Sequence, residues 1–327
     1  MIHFRKHIAA LTIATAISSL LSTAAVAADK VSMMISWRPQ ADYGGYYYAQ
    51  AKGIYEKHGL EVEIRPGGPQ IDGAALLLAG RVDFLSASAF AGLHYAREKL
   101  PFTVVAAVFQ KDPQILMVHP DSGYNKLEDI KGAPTFIGAS SRTSFWPFLK
   151  ARYGYPDEQI RPFTGSYATF LADKKSVQQG YIISDLAAVR RAGVDARAFL
   201  LADVGFENYA NTINTSRKLI DSNPDLVRRF VAASMEGWKA YLAGDSGPAF
   251  AAIKAANPQM SDEDLNYNYN TMREQKLVES GDALTLGIGA MTDERWARFA
   301  KSNIETGNLP ADVDWKQAYT LQFVGKK

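Results

Sequence analysis

The sequence predicts an α/β fold of two similar lobes with a ligand cleft between them, and three observations predict it. "KVSMMISW" alternates Val31, Met33, Ile35 and Trp37 on one face, a glycine- and tyrosine-rich helix follows, and "LEVEI" alternates again, which reads as a strand, helix, strand unit. The pattern of "LLLAGRVDFLSASAFAGLHYA", a helix, a glycine turn, a strand and a second helix, returns about 100 residues later in "FLADKKSVQQGYIISDLAAVRRAG". The chain has 327 residues and is 47% hydrophobic, enough for two cores of ordinary size.

The elements follow in order. Arg5 and Lys6 precede a charge-free apolar run from Ile8 to Leu21 that ends near Ala25-Val26-Ala27, so residues 1–27 are expected to be a cleaved export signal. That run is shorter than the roughly 20 residues of a membrane span. The first strand leads into "DYGGYYYAQAKGIY", where Gly44-Gly45 start a helix that runs to Gly59. Tyr46, Tyr47 and Tyr48 cannot all face one core, because neighbours on a helix are about 100° apart. Tyr47 and Tyr48 are assigned to packing, and Tyr46 either to packing or to the cleft beside Tyr43. After "LEVEI" and the break "RPGGP" come a short helix, a turn at Gly80, a strand over Val82–Leu85 and another helix. "TVVAAVFQ" and "QILMVHP" read as buried strands flanking Asp112-Pro113, where the chain is expected to cross between lobes. The second lobe then carries "TFIG", a helix, a strand at Tyr181–Ser184 and a helix from Leu186. "FENYANTINTS" (206–216) reads as an extended hinge strand leading back. The expected division is 28–113 for the first lobe, 114–208 for the second, and 209–327 for the return and its packing helices. From Asn223-Pro224 onward Leu226, Val227, Phe230, Val231, Met235, Trp238 and Leu242 recur at helical spacing.

Composition narrows the function. Of 36 Lys+Arg and 34 Asp+Glu, two basic residues lie in the export segment, so the exported chain is close to neutral, without the basic excess of a nucleic-acid binder. There is no cysteine to form a disulfide or carry a lipid, which places the expected product free in a periplasm. No phosphate-binding G-x-x-x-x-G-K-[ST] loop is present, "GIGAMT" (287–292) reads as a turn, and His58, His94 and His119 lack metal-ligand spacing. No catalytic residue, metal or cofactor is expected.

What remains is a set of polar and aromatic residues placed at strand ends. Trp37, Gln40 and Tyr43 follow the first strand, Gly68 the second, Ser86 and Ser88 the third, and Phe109 the fourth; in the second lobe Ser140 and Trp146 follow "TFIG", and Asp185 follows "YIIS". In open α/β sheets, ligands collect at the carboxyl ends of strands, so these residues are expected to line one cleft.

"WRPQADYGGYYYAQAKGIYEKHGLEVEI", "LLLAGRVDF" and "NPDLVRRFVAASMEGWKAYL" resemble the solute-binding proteins of ABC importers in the sulfonate-binding/thiamine-pyrimidine-synthase-like family. The most specific part is W-x-P-x(3)-[H/Y]-x-G-x-Y-x-A-x-x-K-G at Trp37–Gly53. The resemblance implies a type II periplasmic-binding-protein fold whose lobes close on a small molecule, and a monomer that presents it to a membrane permease and its ATPase. The eukaryotic branch contains a pyrimidine synthase with an active-site lysine and histidine and a cysteine-rich iron motif; Ala87 and Ala91 stand at the matching positions, and cysteine is absent.

Two ligand classes compete. Sulfonate, taurine or nitrate would need cationic donors such as Arg142 in "GASSRTS". A thiamine-precursor aminopyrimidine would need flat aromatic walls and an acidic acceptor, which Trp37, Tyr43, Phe109 and Asp185 supply better. Asp185 stands where relatives often place glutamate and Tyr43 where they often place histidine, so a larger heterocycle such as a flavin stays open.

Overall fold

The computed structural model describes residues 27–68, 71–163 and 165–325. Residues 1–26, most of the expected export signal, lie outside the described residues. Among the described residues there are ten strands: β1 (Asp29–Met34), β2 (Leu60–Arg65), β3 (Phe84–Ser88), β4 (Phe102–Phe109), β5 (Gln114–Val118), β6 (Thr135–Ile137), β7 (Ile160–Pro162), β8 (Val177–Tyr181), β9 (Arg197–Leu200) and β10 (Ala210–Ser216).

They form two five-stranded sheets of the same design, β2-β1-β3-β10-β4 and β7-β6-β8-β5-β9. In the first, β1 runs parallel to β2 and β3 while β10 is antiparallel to β3 and β4. In the second, β6 runs parallel to β7 and β8 while β5 is antiparallel to β8 and β9. In both, the reversed inner strand is the one that has just arrived from the other sheet. That exchange gives the α/β, two-lobed architecture of periplasmic binding proteins, in which each lobe contains a strand separated in sequence from its neighbours.

Local sequence explains most elements. Every residue of β4 and β5 is buried; β5 is an inner strand, and β4, the last strand of its sheet, is covered on its outer side by bridges from Val104 to Tyr319 and from Ala107 to Gly289. The first helix, Gly44–Ala51, is followed by a separate turn of helix, Ile54–Lys57, because Gly53 adopts a left-handed φ of 64° between them. Tyr46, Tyr47 and Tyr48 are all buried, and the reason is that this helix is covered on several sides. Helix Pro224–Leu242 lies against it, with Tyr46 edge-on to Trp238 at 5.6 Å and Tyr48 tilted on Tyr241 at 6.4 Å, and helix Gly247–Ala256 packs on it as well. Gly44 and Gly45 permit that approach: a Cβ at Gly45 would sit 2.2 Å from the Trp238 ring, and one at Gly44 2.2 Å from Tyr241.

Three expectations need correction. The strand expected over Val82–Leu85 is Phe84–Ser88, so Ser86 and Ser88 lie within it, paired with Ile213 and Ala210, rather than after it. The strand expected at Tyr181–Ser184 ends at Tyr181. Its polar start is accommodated because Gln179 accepts a hydrogen bond from the Gly138 amide at 2.7 Å and Gln178 donates to the Phe136 carbonyl at 3.4 Å. The extended segment 206–216 is a strand only over Ala210–Ser216, where it lies inside the first sheet between β3 and β4.

Candidate ligand-binding cleft

The turn after β1 and the end of β8 come from different sheets and face each other. A 3-10 turn, Ala41–Tyr43, leads into the first helix, and on it Tyr43 is buried and shares a hydrogen bond with Ser36 Oγ at 2.9 Å. Burial raises the Tyr43 phenol well above its ordinary range; Asp42 and, from the other sheet, Tyr181 push in the same direction. Tyr181 keeps 49% of its surface open although its phenol is desolvated and lies within range of Asp112, Asp185 and Asp42, all of which raise it. The half-open Tyr181 ring thus lies within electrostatic range of carboxyls contributed by both sheets and by the connection between them.

Each of these carboxyls is held differently. Asp185 opens the helix Asp185–Arg191 and accepts hydrogen bonds from the Tyr167 hydroxyl and the Tyr181 amide; burial still raises its pKa above the usual carboxylate range. Asp112, on the connection between β4 and β5, accepts from the Gln114 amide at 2.8 Å and from Asn208, and burial pushes it up to about 6 against those bonds and Arg295. Asp42 is pushed up to about 7 by burial, and its Oδ1 is buried without a hydrogen-bond partner. Buried carboxylates without a cation favour a proton or a ligand donor.

The turn carrying Asp42 is positioned by Asn211. This residue lies at a register shift in β10 with a left-handed φ of 45°, a conformation that asparagine tolerates better than most side chains. Its Oδ1 accepts from Tyr46 at 3.1 Å and Ser86 at 2.9 Å, and its Nδ2 donates to the Asp42 carbonyl at 2.7 Å. One buried amide therefore joins the first helix, β3 and the cleft turn.

The structure distributes the sequence-derived candidates unevenly. Tyr43 and Asp185 stand near one another around Tyr181. Trp37 is 43% exposed on the loop after β1, where its carbonyl accepts from the Gly67 amide at 3.0 Å; the neighbouring Gly68 faces open space. Gln40 is half-buried, and its carbonyl accepts from the Tyr43 amide at 3.1 Å. Ser140 is exposed in the turn after β6. The others are directed into the lobes. Ser86 is bound to Asn211, Ser88 caps the helix Ala89–Arg97 by accepting from the Ala91 amide, and Phe109 packs edge-on to Trp238 at 6.0 Å. Trp146 is buried against Tyr155 with its indole N–H donating to Asp157 at 2.8 Å. Tyr46 is likewise interior. Asp42, Tyr181 and Asn211 were not singled out by the sequence pattern.

A cavity of about 680 Å³ lies away from this cleft, beside helix Trp146–Tyr153 and lined in part by Arg142, Lys150, Asp157 and Glu305. It contains no residue of the Asp42–Tyr181 group, and Lys150 there is paired with Asp157 at 2.5 Å. Among the described residues, no group of three or more His, Asp or Glu side chains is arranged to hold a metal ion.

The sequence profile described as NMT1/THI5-like matches residues 40–245, most of the chain. The chain belongs to the NMT1/THI5-like family. The NMT1/THI5-like chain is 29% identical over 305 residues, 90% of its length and 86% of the other's, to the riboflavin-binding protein RibY of Chloroflexus aurantiacus. Its fold is similar to that of the periplasmic aliphatic sulphonate binding protein SsuA from Escherichia coli, with a TM-score of 0.69 at 14% identity over 89% of this chain and 91% of that one. It is also similar to the desulfurization enzyme DSZB, with a TM-score of 0.60 at 12% identity over 90% and 97% of the two chains. One architecture thus carries anion binding, flavin binding and catalysis, so ligand and activity must be argued from this chain's own side chains.

Proposed function

We propose that this protein is the substrate-binding component of an ABC importer, exported to the periplasm, and that it takes a flat nitrogen heterocycle rather than an organic anion. One observation carries the ligand class. The half-open Tyr181 ring lies within electrostatic range of Asp42, Asp112 and Asp185, and no cation contributes to the charge state of Asp42 or Asp185. Such an arrangement offers a stacking face and acceptors for N–H donors, and it repels a sulfonate or nitrate. The thiamine-precursor aminopyrimidine suggested by the sequence fits this description. So does the isoalloxazine of riboflavin, and the similarity to RibY makes riboflavin the first compound to test.

As a receptor the protein hands its ligand, unchanged, to a permease and ATPase. The absence of cysteine from the sequence removes one class of nucleophile from the cleft. The test is a thermal-shift screen of the exported chain against riboflavin, an aminopyrimidine, ethanesulfonate, taurine and nitrate. A ligand at 100 times its Kd stabilises the folded state by about 2.7 kcal/mol. Stabilisation by riboflavin or the aminopyrimidine is expected. Stabilisation by sulfonates alone would overturn the ligand class, and recovery of an altered compound by mass spectrometry would overturn the receptor function.

A further inference from the structure

We propose that Asp42 is the charge selector of the cleft: as a carboxylate it accepts an N–H of the ligand, so that binding releases a proton to solvent and anions are refused. This rests on the binding function proposed above and assigns to one residue both the choice of ligand and its dependence on pH.

The geometry leaves Asp42 without a counter-ion on every side. Its Oδ1 is buried with no donor, and the residue as a whole is partly buried. The groups that interact electrostatically with it are Tyr43 on its own turn, Tyr181 across the cleft and Tyr241 beneath; all three are phenols whose ionisation is pushed up, so they stay neutral. The Tyr241 hydroxyl is committed to the Ala41 carbonyl at 3.0 Å, and Asn211 reaches the backbone oxygen of Asp42 rather than its carboxyl.

The charged side chains of the helices packed on this turn form no hydrogen bond or ion pair with Asp42; Glu263 and Glu274 lie at the two ends of Asp262–Glu274. On Asp262–Glu274, Arg273 sits over the Tyr269 ring at 5.3 Å and Asp264 is paired with Arg191. On Gly247–Ala256, Lys254 is paired with Asp262 at 2.8 Å. A desolvated acid in this position holds a proton until a better donor arrives. Its midpoint of about 7 places the exchange within the range of ordinary buffers.

Both protonation states are accessible, and they select opposite ligands. The carboxylate receives an N–H and repels an anion. The neutral acid already fills the acceptor position with its own proton. Affinity for an N–H donor is therefore present above the midpoint and lost as pH falls through it, by about tenfold per unit well below 7. Near pH 7, about half a proton leaves per ligand bound.

Riboflavin is the probe, titrated into the full exported chain between pH 5.5 and 8.5, with calorimetry at pH 7 in phosphate and in Tris to count protons. Binding that strengthens with pH to a plateau, together with proton release, is expected of the parent; Asp42→Asn is expected to lose both the slope and the release. The same slope in Asp42→Asn, or no slope in the parent, overturns the assignment. A ligand-free arm separates this from failure of the ligand class. Carboxyl-carbon NMR of the aspartate-labelled parent is expected to show a resonance titrating near 7 that is missing from Asp42→Asn. If that resonance is present and riboflavin binds at no pH, the riboflavin assignment fails alone; if it is missing from the parent, the role given to Asp42 fails whatever riboflavin does.

Discussion

Replacing Asn211 with alanine is expected to lower stability by about 3–5 kcal/mol, a large effect for one residue away from the lobe centres. Three hydrogen bonds are lost together, from Tyr46 at 3.1 Å, from Ser86 at 2.9 Å and to the Asp42 carbonyl at 2.7 Å. Tyr46 and Ser86 are 0% and 1% exposed, so neither hydroxyl reaches water when its acceptor disappears. A buried group stripped of its partner costs about 1–3 kcal/mol, and the three losses share one site and will not add fully. The backbone contributes separately, since a φ of 45° costs an alanine about 1–2 kcal/mol. Asn211→Gly removes the same bonds without that strain and should be the milder variant by roughly this amount. Urea unfolding of the two variants and the parent measures both quantities. A loss below about 1 kcal/mol for alanine would refute the junction role, and equal losses for alanine and glycine would refute the backbone argument.

Gly45→Ala should destabilise by about 1–3 kcal/mol despite alanine's higher helix propensity, because its Cβ would enter the Trp238 ring at 2.2 Å. Gly68→Ala, with nothing within 4 Å, should leave the melting temperature nearly unchanged in the same calorimetric comparison. Tyr181→Ala should weaken heterocycle binding in titration calorimetry by roughly tenfold, from about 0.5–1.5 kcal/mol of stacking plus buried area, with little change in melting because the ring is half exposed. Asp42 titrates above its unfolded value near 3.9, so the folded state binds the extra proton and its stability falls as pH rises. Relative to Asp42→Asn, the parent should lose at most about 1.4 kcal/mol per pH unit between roughly 4 and 7 and nothing further above, as read by urea midpoints across that range.

How far each feature could be read in advance follows from the kind of signal it leaves. β1, β2 and the start of the first helix were legible from alternation and helical spacing, although the helix expected to run to Gly59 is broken at Gly53, and β4 and β5 were legible because unbroken apolar runs require burial on both faces. β8 was not: its residues Val177–Tyr181 include two glutamines whose amides are used inside the sheet, so the apolar "YII" drew the strand four residues too far. That shift concealed Tyr181, which became a strand start in the sequence and is a strand end in the structure. Phe109 and Trp146 show the reverse problem, since an aromatic residue near a strand end looks the same whether it lines a cleft or turns inward onto Trp238 or Tyr155. Asp42 could not have been chosen from its neighbours in sequence. What distinguishes it is the lack of a cation among groups contributed by residues 43, 181 and 241.

The C-terminal third, whose helical spacing suggested only packing, connects the two sheets in two distinct ways. Arg295, on helix Asp293–Glu305, bonds both connections between the lobes: its guanidinium donates to the Gln110 carbonyl on one and to the Glu207 carbonyl at 3.2 Å on the other, and lies 3.9 Å from the centre of the Tyr209 ring. Asp112 and Asn208 tie the same two segments together, and Asn208 also accepts from the Phe90 amide at 3.0 Å. Helix Asp262–Glu274 acts elsewhere. It packs on the cleft turn of the first lobe, yet Asp264 pairs with Arg191 at 2.5 Å and the Tyr267 hydroxyl reaches the Ile182 carbonyl at 3.4 Å, both on the second. Contacts on the connections themselves keep their lengths under a rotation about those connections, whereas contacts at a distance from them do not. Lobe separation would thus break the Arg191–Asp264 pair while leaving Arg295 in place, and because that pair is partly exposed it is worth about 1 kcal/mol or less. The Arg295 bonds therefore lie on the connections themselves, whereas the Arg191–Asp264 pair lies away from them.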